Sequence, residues 1–214
     1  MNVIDWLNST AFDVAGQAMS VVEVPGFVTG ALCVWAVTRQ YAWNWPIGLA
    51  NNAVFAVLFV GAGLYADTAL QIAFAVIGVY GWWQWLRGSG GGASLPVRRV
   101  TGREAGLGLV VTAAGTVAVA LLLQAGTDST VPWADAFVLA GSLLATWGQA
   151  RKILEQWWVW IAVDVVSVPL YVVKGLWLTA LLYTGFLLLC FDGLRRWRAD
   201  LAAQADEFDV EVVA

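Results

Sequence analysis

Long stretches without a charged residue constrain this chain more than any other feature of its sequence. Only 12% of the 214 residues are charged and 60% are hydrophobic, whereas a soluble domain carries about 25% charged residues. Runs of roughly 20 apolar residues match the hydrocarbon thickness of a bilayer, where a helix satisfies its own backbone hydrogen bonds. The sequence therefore predicts an all-α integral membrane protein.

Turn-forming residues divide the apolar stretches into seven predicted transmembrane helices. Asn44-Trp45-Pro46 is typical of a helix start, because asparagine can cap free backbone N–H groups and proline fits the first turn. The glycine-rich segment 88–96 follows the third span and predicts a flexible loop. The predicted spans are residues 22–39, 45–62, 67–86, 105–125, 134–151, 156–173 and 176–195.

Basic residues follow every second span. Ten of the eleven lysines and arginines come after the first, third, fifth or seventh span, and only Lys174 lies on the other side. Because cytoplasmic loops carry an excess of basic residues, this pattern predicts an outside N-terminus and a cytoplasmic C-terminus. The ten residues are Arg39, Arg87, Arg98, Arg99, Arg103, Arg151, Lys152, Arg195, Arg196 and Arg198.

The two ends of the chain lie outside the predicted spans. Residues 1–21 lack a basic n-region and a small-residue cleavage site, so they are interpreted as a segment outside the cell rather than a signal peptide. A short interfacial helix with Trp6 at the headgroups is one conformation open to this segment. Residues 199–214 form an acidic cytoplasmic tail, predicted to be a solvated, frayed end.

The chain also resembles itself. Residues 35–85 align without gaps on residues 147–197, with thirteen identities that include three Trp–Trp pairs and one Arg–Arg pair. The pattern predicts two parallel three-helix repeats, 22–86 and 134–198, joined by a cytoplasmic loop (87–104) and a linker helix (105–125). Transporters built in this 3+1+3 manner bind substrate between the repeats, near the middle of the membrane.

Two polar residues occupy equivalent, mid-membrane positions in the repeats. Asp164 lies near the middle of the sixth span, and its equivalent is Asn52 in the second span. A charged side chain at the bilayer centre costs roughly 2.5–3.5 kcal/mol or more, so such residues usually serve function. A structural hydrogen bond to a neighbouring helix is the alternative for Asp164, and equally for Asn52 and Gln71.

Aromatic residues share helix faces with these polar groups, at spacings of three and four residues. Rings alternating with amide, carboxylate and hydroxyl groups suit a flat heteroaromatic ligand. If the ligand is a cation, each stacked ring adds roughly 0.5–2 kcal/mol, and Asp164 balances its charge. Packing, or anchoring at the interface, is the alternative for each ring. These faces predict substrate contacts from Trp45, Asn52, Phe59, Gln71, Phe74, Trp160, Asp164, Ser167, Tyr171 and Tyr183.

Several short motifs resemble the PnuC family of bacterial vitamin transporters. In the first half they are Trp45-Pro-Ile-Gly48 followed by Phe59, Gly63-Leu-Tyr-Ala-Asp67, Leu70-Gln71 and Tyr80-Gly-Trp-Trp-Gln-Trp85. In the second half they are residues 157–160, Asp164-Val-Val-Ser167, Leu170-Tyr171, Lys174-Gly-Leu-Trp-Leu178 and Tyr183. The resemblance covers residues 22–198 and adds Tyr80 to the predicted substrate-binding residues.

The resemblance implies a function and an assembly. It implies facilitated diffusion of nicotinamide riboside across a bacterial inner membrane, with thiamine or riboflavin as the cargo of sister branches. It further implies a 3+1+3 fold, a homotrimer and a cytoplasmic kinase that traps the substrate by phosphorylation, feeding NAD biosynthesis. Two positions depart from the family pattern where substrate preference is set: Ala42 replaces a tryptophan, and Gln71-x-x-Phe74 replaces Asn-x-x-Tyr.

Residue types absent from the chain exclude several kinds of site. There is no histidine, which excludes histidine-based catalytic triads and Cys/His zinc sites. Cys33 and Cys190 lie in apolar runs and are interpreted as small core residues. No Walker A sequence is present, which excludes ATP-driven pumping by this chain alone. No cofactor, metal or nucleic-acid partner is predicted.

Two functions of other classes are alternatives to transport. A membrane enzyme would use Asp164 with Tyr171 or Tyr183, but the sequence offers no nucleophile–base pair and no second carboxylate beside them. A structural or receptor protein would not need polar groups at matching depths in two repeats. Within the transport hypothesis, coupling to an ion through Asp164 is an alternative to facilitated diffusion.

Overall fold

A computed structural model describes residues 10–14, 17–21, 23–61, 65–88, 95–127 and 130–213. Within these ranges the chain forms seven α-helices and one pair of antiparallel strands. Each helix overlaps one predicted span. The elements are β1 (Thr10–Val14), β2 (Gln17–Ser20), α1 (Glu23–Thr38), α2 (Asn44–Gly61), α3 (Tyr65–Arg87), α4 (Gly102–Gly126), α5 (Pro132–Ala150), α6 (Gln156–Val173) and α7 (Trp177–Val213).

The helix starts differ in how they are stabilised. Asn44 does not cap α2 as its position suggests, because its side-chain amide donates backwards to the carbonyl of Tyr41 at 2.6 Å. Its side-chain oxygen accepts instead from Gln149 of α5 at 3.3 Å. By contrast, α4 begins with a reciprocal capping box between Thr101 and Glu104, which satisfies two otherwise unpaired N–H groups.

The prediction of a frayed tail over residues 199–214 is wrong for most of that segment, because α7 continues without a break to Val213. Asp192 pairs with Arg195 and Arg196 one turn later, and such spacings support a helix beyond the apolar span. At the other end, residues 10–14 and 17–20 form strands rather than an interfacial helix. Trp6 lies outside the described residues.

Six of the helices pack in a closed ring. In order around it, α1 packs on α2, α2 on α3, α3 on α5, α5 on α6, α6 on α7, and α7 returns to α1. The remaining helix, α4, packs mainly on α5. The chain order is therefore preserved around the ring once α4 is set aside, and the ring has an interior that every one of the six helices can line.

The outside of this ring is apolar and exposed. On α4, Leu109 and Leu122 are 72% and 71% exposed, an arrangement that water penalises and lipid does not. Helix α4, helix α6 and residues 177–206 of α7 are long and apolar enough to cross a membrane, and α1 is a shorter apolar helix. These surfaces are those of a membrane protein.

Four tryptophans form the core at one end of the ring. Trp45 of α2 meets Trp85 of α3 edge-on, with ring centroids 5.6 Å apart and planes at 90°. Trp157 of α6 meets Trp197 of α7 in the same way, at 5.5 Å and 88°. All four are at most 5% exposed. The two halves of the chain therefore build the same ring pair from residues at matching positions.

Each tryptophan pair depends on a glycine in the facing helix. A Cβ atom at Gly81 would lie 2.5 Å from the Trp45 ring, and one at Gly193 would lie 2.4 Å from the Trp157 ring. Real Cβ atoms essentially never approach so closely. These two positions therefore require glycine for helix packing rather than for backbone flexibility.

The segment after α3 is fastened to the second half of the chain. Backbone hydrogen bonds join Arg98 to Lys152 and Leu154. The Arg98 guanidinium binds both carboxylate oxygens of Glu104, at 2.9 and 2.8 Å, and Arg151 reaches the same carboxylate at 3.1 Å. The hydrogen bonds from Arg98 hold the pKa of Glu104 well below its usual range.

The basic residues that follow the first, third, fifth and seventh predicted spans gather at the tryptophan end of the bundle, which we call the basic end. Gln40, after α1, bonds to both Lys152, after α5, and Asp200, on α7. Lys174 lies at the opposite end, paired with Asp135 at 2.7 Å. The one-sided distribution of charge in the sequence is thus a property of the folded bundle.

Candidate functional site

A buried carboxylate lies halfway along α6. Asp164 is only 2% exposed, and its Oδ2 accepts a hydrogen bond from the thiol of Cys190 on α7 at 3.4 Å. A thiol is a weak donor, whereas a carboxylate can accept several hydrogen bonds. Among the described residues no basic side chain pairs with Asp164. Its hydrogen-bonding capacity is largely unused.

A second polar group with unused capacity lies one turn further along α6. Ser167 is fully buried, and its hydroxyl has no hydrogen-bond partner in the described structure. A buried polar group left without a partner costs about 1–3 kcal/mol, so native proteins usually satisfy it with water or a ligand. Because residues three apart share a helix face, Asp164 and Ser167 place acceptors and a donor on the same face of α6.

Aromatic rings continue from this polar pair toward the end opposite the basic one. Tyr171 contacts Tyr183 of α7, with centroids 4.8 Å apart, and Tyr183 contacts Phe186 at 5.3 Å. The Phe186 ring reaches α1, where a Cβ atom at Gly30 would lie 3.4 Å from it. Tyr183 is also close enough to Asp164 for an electrostatic interaction. The structure thus places Tyr171 against Tyr183, and Tyr183 near Asp164, while a substrate contact from these residues stays a prediction.

The first half of the chain presents a more apolar counterpart. On α2, the rings of Phe55 and Phe59 lie 5.9 Å apart, and Phe55 approaches Gly26 of α1. Asn52 is half-buried on the same helix. Gln71 and Phe74 are half-buried on α3, and the described contacts do not join them to Asp164.

Three of the predicted substrate-binding residues lie nearer the basic end. Trp45 belongs to the tryptophan core, and its indole N–H has no partner there. Tyr80 stacks on Trp147 of α5, with centroids 5.1 Å apart and planes at 9°, and joins α3 to α5. Trp160 is half-buried against the tryptophan core. A substrate contact from these three residues stays a prediction.

The contact that Cys190 makes with Asp164 was not predicted from the sequence. It was interpreted as a small core residue, and it is indeed 3% exposed, but its thiol is also the hydrogen-bond donor to Asp164. The spacing of the residue indicated this role, because Tyr183, Phe186 and Cys190 share one face of α7.

A separate groove of about 330 Å³ lies between α5 and α6 on the outside of the ring. It offers no polar side chain to orient a ligand, and Val165 and Val173 beside it are more than half exposed. This surface suits a lipid chain rather than a water-soluble cargo. It is lined by Val131, Ala134, Val165, Val166, Pro169, Leu170 and Val173.

Comparison with known proteins places the chain among vitamin transporters. The family model described as nicotinamide mononucleotide transporter matches residues 20–199. The chain is 34% identical over 197 residues to the riboflavin/roseoflavin transporter RibM of Streptomyces davaonensis, covering 91% of this chain and 92% of RibM. It is 26% identical over 208 residues to the nicotinamide riboside transporter PnuC of Escherichia coli, covering 85% and 87%.

A solved structure shares the fold. The crystal structure of the vitamin B3 transporter PnuC superposes with a TM-score of 0.65 at 22% identity, covering 84% of this chain and 81% of that one. The arrangement of helices is therefore common to both proteins. With a family model over most of its length and a relative above 30% identity over nearly all of it, the chain belongs to the PnuC family of membrane vitamin transporters.

Proposed function

We propose that this protein carries riboflavin, or a flavin of the same shape, across the cell membrane by facilitated diffusion. The observation that carries the proposal is a difference between the two halves of the interior: α6 presents the buried carboxylate of Asp164 and the buried hydroxyl of Ser167, where the equivalent positions of α2 carry Asn52 and Phe55. Identity to a riboflavin/roseoflavin transporter of 34%, against 26% to a nicotinamide riboside transporter, supports the same choice.

The groups that the two halves present to the interior match the chemistry of a flavin. Riboflavin has a flat, uncharged three-ring system and a flexible chain of hydroxyl groups. Phe55, Phe59 and Phe74 supply ring faces for stacking. Asp164 and Ser167 supply the acceptors and the donor that a hydroxylated chain needs. In the described structure Asp164 accepts one hydrogen bond, from a thiol, and the Ser167 hydroxyl has no partner.

The proposal includes a symmetric architecture. Two parallel three-helix repeats, 22–86 and 134–198, surround the pathway, and the linker helix 105–125 lies outside it. The order of helices around the ring supports this, because each of α1, α2 and α3 packs on neighbours equivalent to those of α5, α6 and α7. All seven helices then span the membrane, the basic end and the tail 199–214 face the cytoplasm, and residues 1–21 lie outside.

Transport in this proposal is passive. The cargo moves down its gradient, and a cytoplasmic kinase keeps that gradient by phosphorylating it. Phosphorylation adds about 1.5 to 2 negative charges near neutral pH, which an apolar, aromatic pathway does not readmit. A homotrimer in the lipid bilayer, as the family resemblance implies, completes the proposal.

Nicotinamide riboside is the second candidate, and Asp164 is the observation that favours it. The nicotinamide ring of this nucleoside carries a positive charge, and Asp164 is a buried carboxylate without a basic partner among the described residues. A carboxylate beside a stacked cation would contribute to its affinity. Thiamine, also a flat cation, belongs to the same candidate class.

Direct binding measurements separate the candidates. We would purify the protein in detergent and titrate riboflavin by its fluorescence, and nicotinamide riboside and thiamine by calorimetry. We expect the tightest binding for riboflavin, weakened by Ser167→Ala. A matched control is Thr184→Val, which removes an exposed hydroxyl bonded only within its own helix. Preference for nicotinamide riboside would select the second candidate, and no binding of any of the three would overturn the proposal.

A further inference from the structure

At the basic end, residues at equivalent positions in the two halves touch each other. Gln40 and Lys152 are 112 residues apart, and the Lys152 ammonium donates to the Gln40 side-chain oxygen at 2.8 Å. Trp85 and Trp197 have the same separation in sequence, and their rings lie 6.1 Å apart. Positions related by a two-fold axis meet only on that axis. These two pairs therefore mark where the axis between the halves runs.

Reciprocal contacts support the same axis. The Trp85 indole donates to the carbonyl of Gln149 at 3.1 Å, and the Trp197 indole donates to the carbonyl of Val37, also at 3.1 Å. Positions 37 and 149 are again equivalent, so each half donates to the other through the same bond.

The backbone repeats this symmetry at the axis. Gln40 and Lys152 both adopt the left-handed conformation, with φ of 56° and 47°, which is uncommon for residues other than glycine. Each half thus turns in the same way after its first helix, and each turn points one side chain at the axis.

The two halves differ in charge at the axis, where Lys152 lies opposite Gln40. Lys152 is 4% exposed, and its ammonium lies 4.7 Å from the centre of the Trp85 ring, whereas Gln40 opposite is neutral. Burial lowers the pKa of Lys152 to about 8, and the Asp200 carboxylate opposes that shift. The ammonium therefore stays largely protonated at neutral pH. The Gln40 amide donates to Asp200, so among the described contacts this carboxylate pairs with Gln40 and not with the Lys152 ammonium.

We propose that Lys152 is a specificity-determining residue whose ammonium, held on the axis at the basic end, slows cationic cargo relative to neutral cargo. The inference rests on the proposed function in one respect, namely that the pathway follows the axis between the halves. In this conformation Lys152, Gln40, Trp85 and Trp197 close that axis, and a fixed charge at a narrow point of a pathway repels ions of the same sign.

The substitution Lys152→Gln tests the inference by copying the residue at the equivalent position. We would reconstitute the protein in liposomes and measure uptake of riboflavin and nicotinamide riboside in parallel. The ratio of nicotinamide riboside to riboflavin uptake should rise roughly three- to tenfold, the effect of one partly screened charge at close range. Gln40→Lys, which places two charges on the axis, should lower the ratio.

Two controls show that the effect comes from position on the axis. Lys152→Arg keeps the charge and should leave the ratio near that of the parent protein. Arg195→Gln removes one positive charge from the basic end at a side chain 77% exposed, and should also leave the ratio unchanged. Size-exclusion profiles identify any variant that fails to fold, and Lys152→Gln and Gln40→Lys report independently of each other.

The outcomes distinguish the two proposals. If the parent protein transports neither compound, the proposed function fails. If it transports riboflavin, but the folded Lys152→Gln or Gln40→Lys protein keeps the parental ratio, the role of Lys152 fails while the proposed function stands. If Arg195→Gln raises the ratio as much as Lys152→Gln does, general surface charge explains the selectivity, and the assignment to Lys152 is overturned.

Discussion

The two halves of the chain share a framework and differ in what they present to the interior. Each half places a tryptophan pair and a glycine at matching positions, with almost identical ring geometry. The positions that point inward differ: Asn52 and Phe55 in the first half correspond to Asp164 and Ser167 in the second. The framework therefore builds the ring of helices, and the differences between the halves decide what the ring can bind.

This difference has a physical consequence for an asymmetric cargo. In an interior with exact two-fold symmetry, a ligand would bind equally well in two opposite orientations. Because only the second half carries the Asp164 carboxylate and the Ser167 hydroxyl, the orientation that brings the ligand's hydroxyl groups to them is favoured over the reverse, by about 1–3 kcal/mol for each group left unpaired. The asymmetry thus favours a single binding mode.

The largest expected effect comes from breaking the shared framework. Gly81→Ala and Gly193→Ala should destabilise the protein by similar amounts, about 3 kcal/mol or more, because each added methyl group overlaps a buried tryptophan ring. Thermal unfolding in detergent, followed by size-exclusion chromatography, measures the change. Gly185→Ala is the matched control, since a Cβ atom there meets no neighbour. A loss confined to one of the two variants would contradict the equivalence of the halves.

The next effect comes from making the halves alike at their central polar position. Asp164→Asn copies Asn52 and should weaken binding of the preferred cargo by about 1.5–3 kcal/mol, the range for a hydrogen bond to a charged group. Titration of riboflavin fluorescence measures it. Asp135→Asn, at the far end of α5, is the control for loss of one acid. Unchanged affinity in Asp164→Asn would remove Asp164 from the site.

Much of this comparison was accessible from sequence. The helices follow from uncharged runs, which are a local property, and the repeat follows from aligned identities such as Trp45 with Trp157. The pairing of Asn52 with Asp164 came from the same alignment. Local patterns and internal alignment therefore predict the elements and which positions correspond.

The contacts between corresponding positions were not accessible in this way. An alignment cannot tell which equivalent residues lie on the axis, so the bond between Gln40 and Lys152 was missed. The thiol donor to Asp164 and the side-chain direction of Asn44 depend on rotamers set by neighbouring helices. The extension of α7 to Val213 lies beyond the apolar span, so a hydropathy pattern does not register it.

A smaller effect comes from the hydroxyl group that distinguishes Ser167 from Phe55. Ser167→Ala should weaken riboflavin binding by about 0.5–1.5 kcal/mol, the net value of one neutral hydrogen bond. Because this hydroxyl has no hydrogen-bond partner in the described structure, the stability of the ligand-free protein should stay the same or rise. A fall in unfolding temperature without a change in affinity would show that the hydroxyl serves packing instead.

The smallest effect concerns the ion pair of Arg151, which its equivalent Arg39 does not form among the described residues. Glu104 binds Arg98 and Arg151 near the surface, so Glu104→Gln should cost about 0.5–1 kcal/mol of stability at pH 7. Because Arg98 lowers the pKa of Glu104 in the folded protein, this contribution is present above the unfolded value of about 4.3 and is lost as the pH falls below it. Unfolding temperatures of the parent and the variant should therefore converge in acid. Curves that stay parallel down to low pH would mean that the carboxylate charge contributes nothing, and that the backbone hydrogen bonds of Arg98 to Lys152 and Leu154 fasten this segment without it.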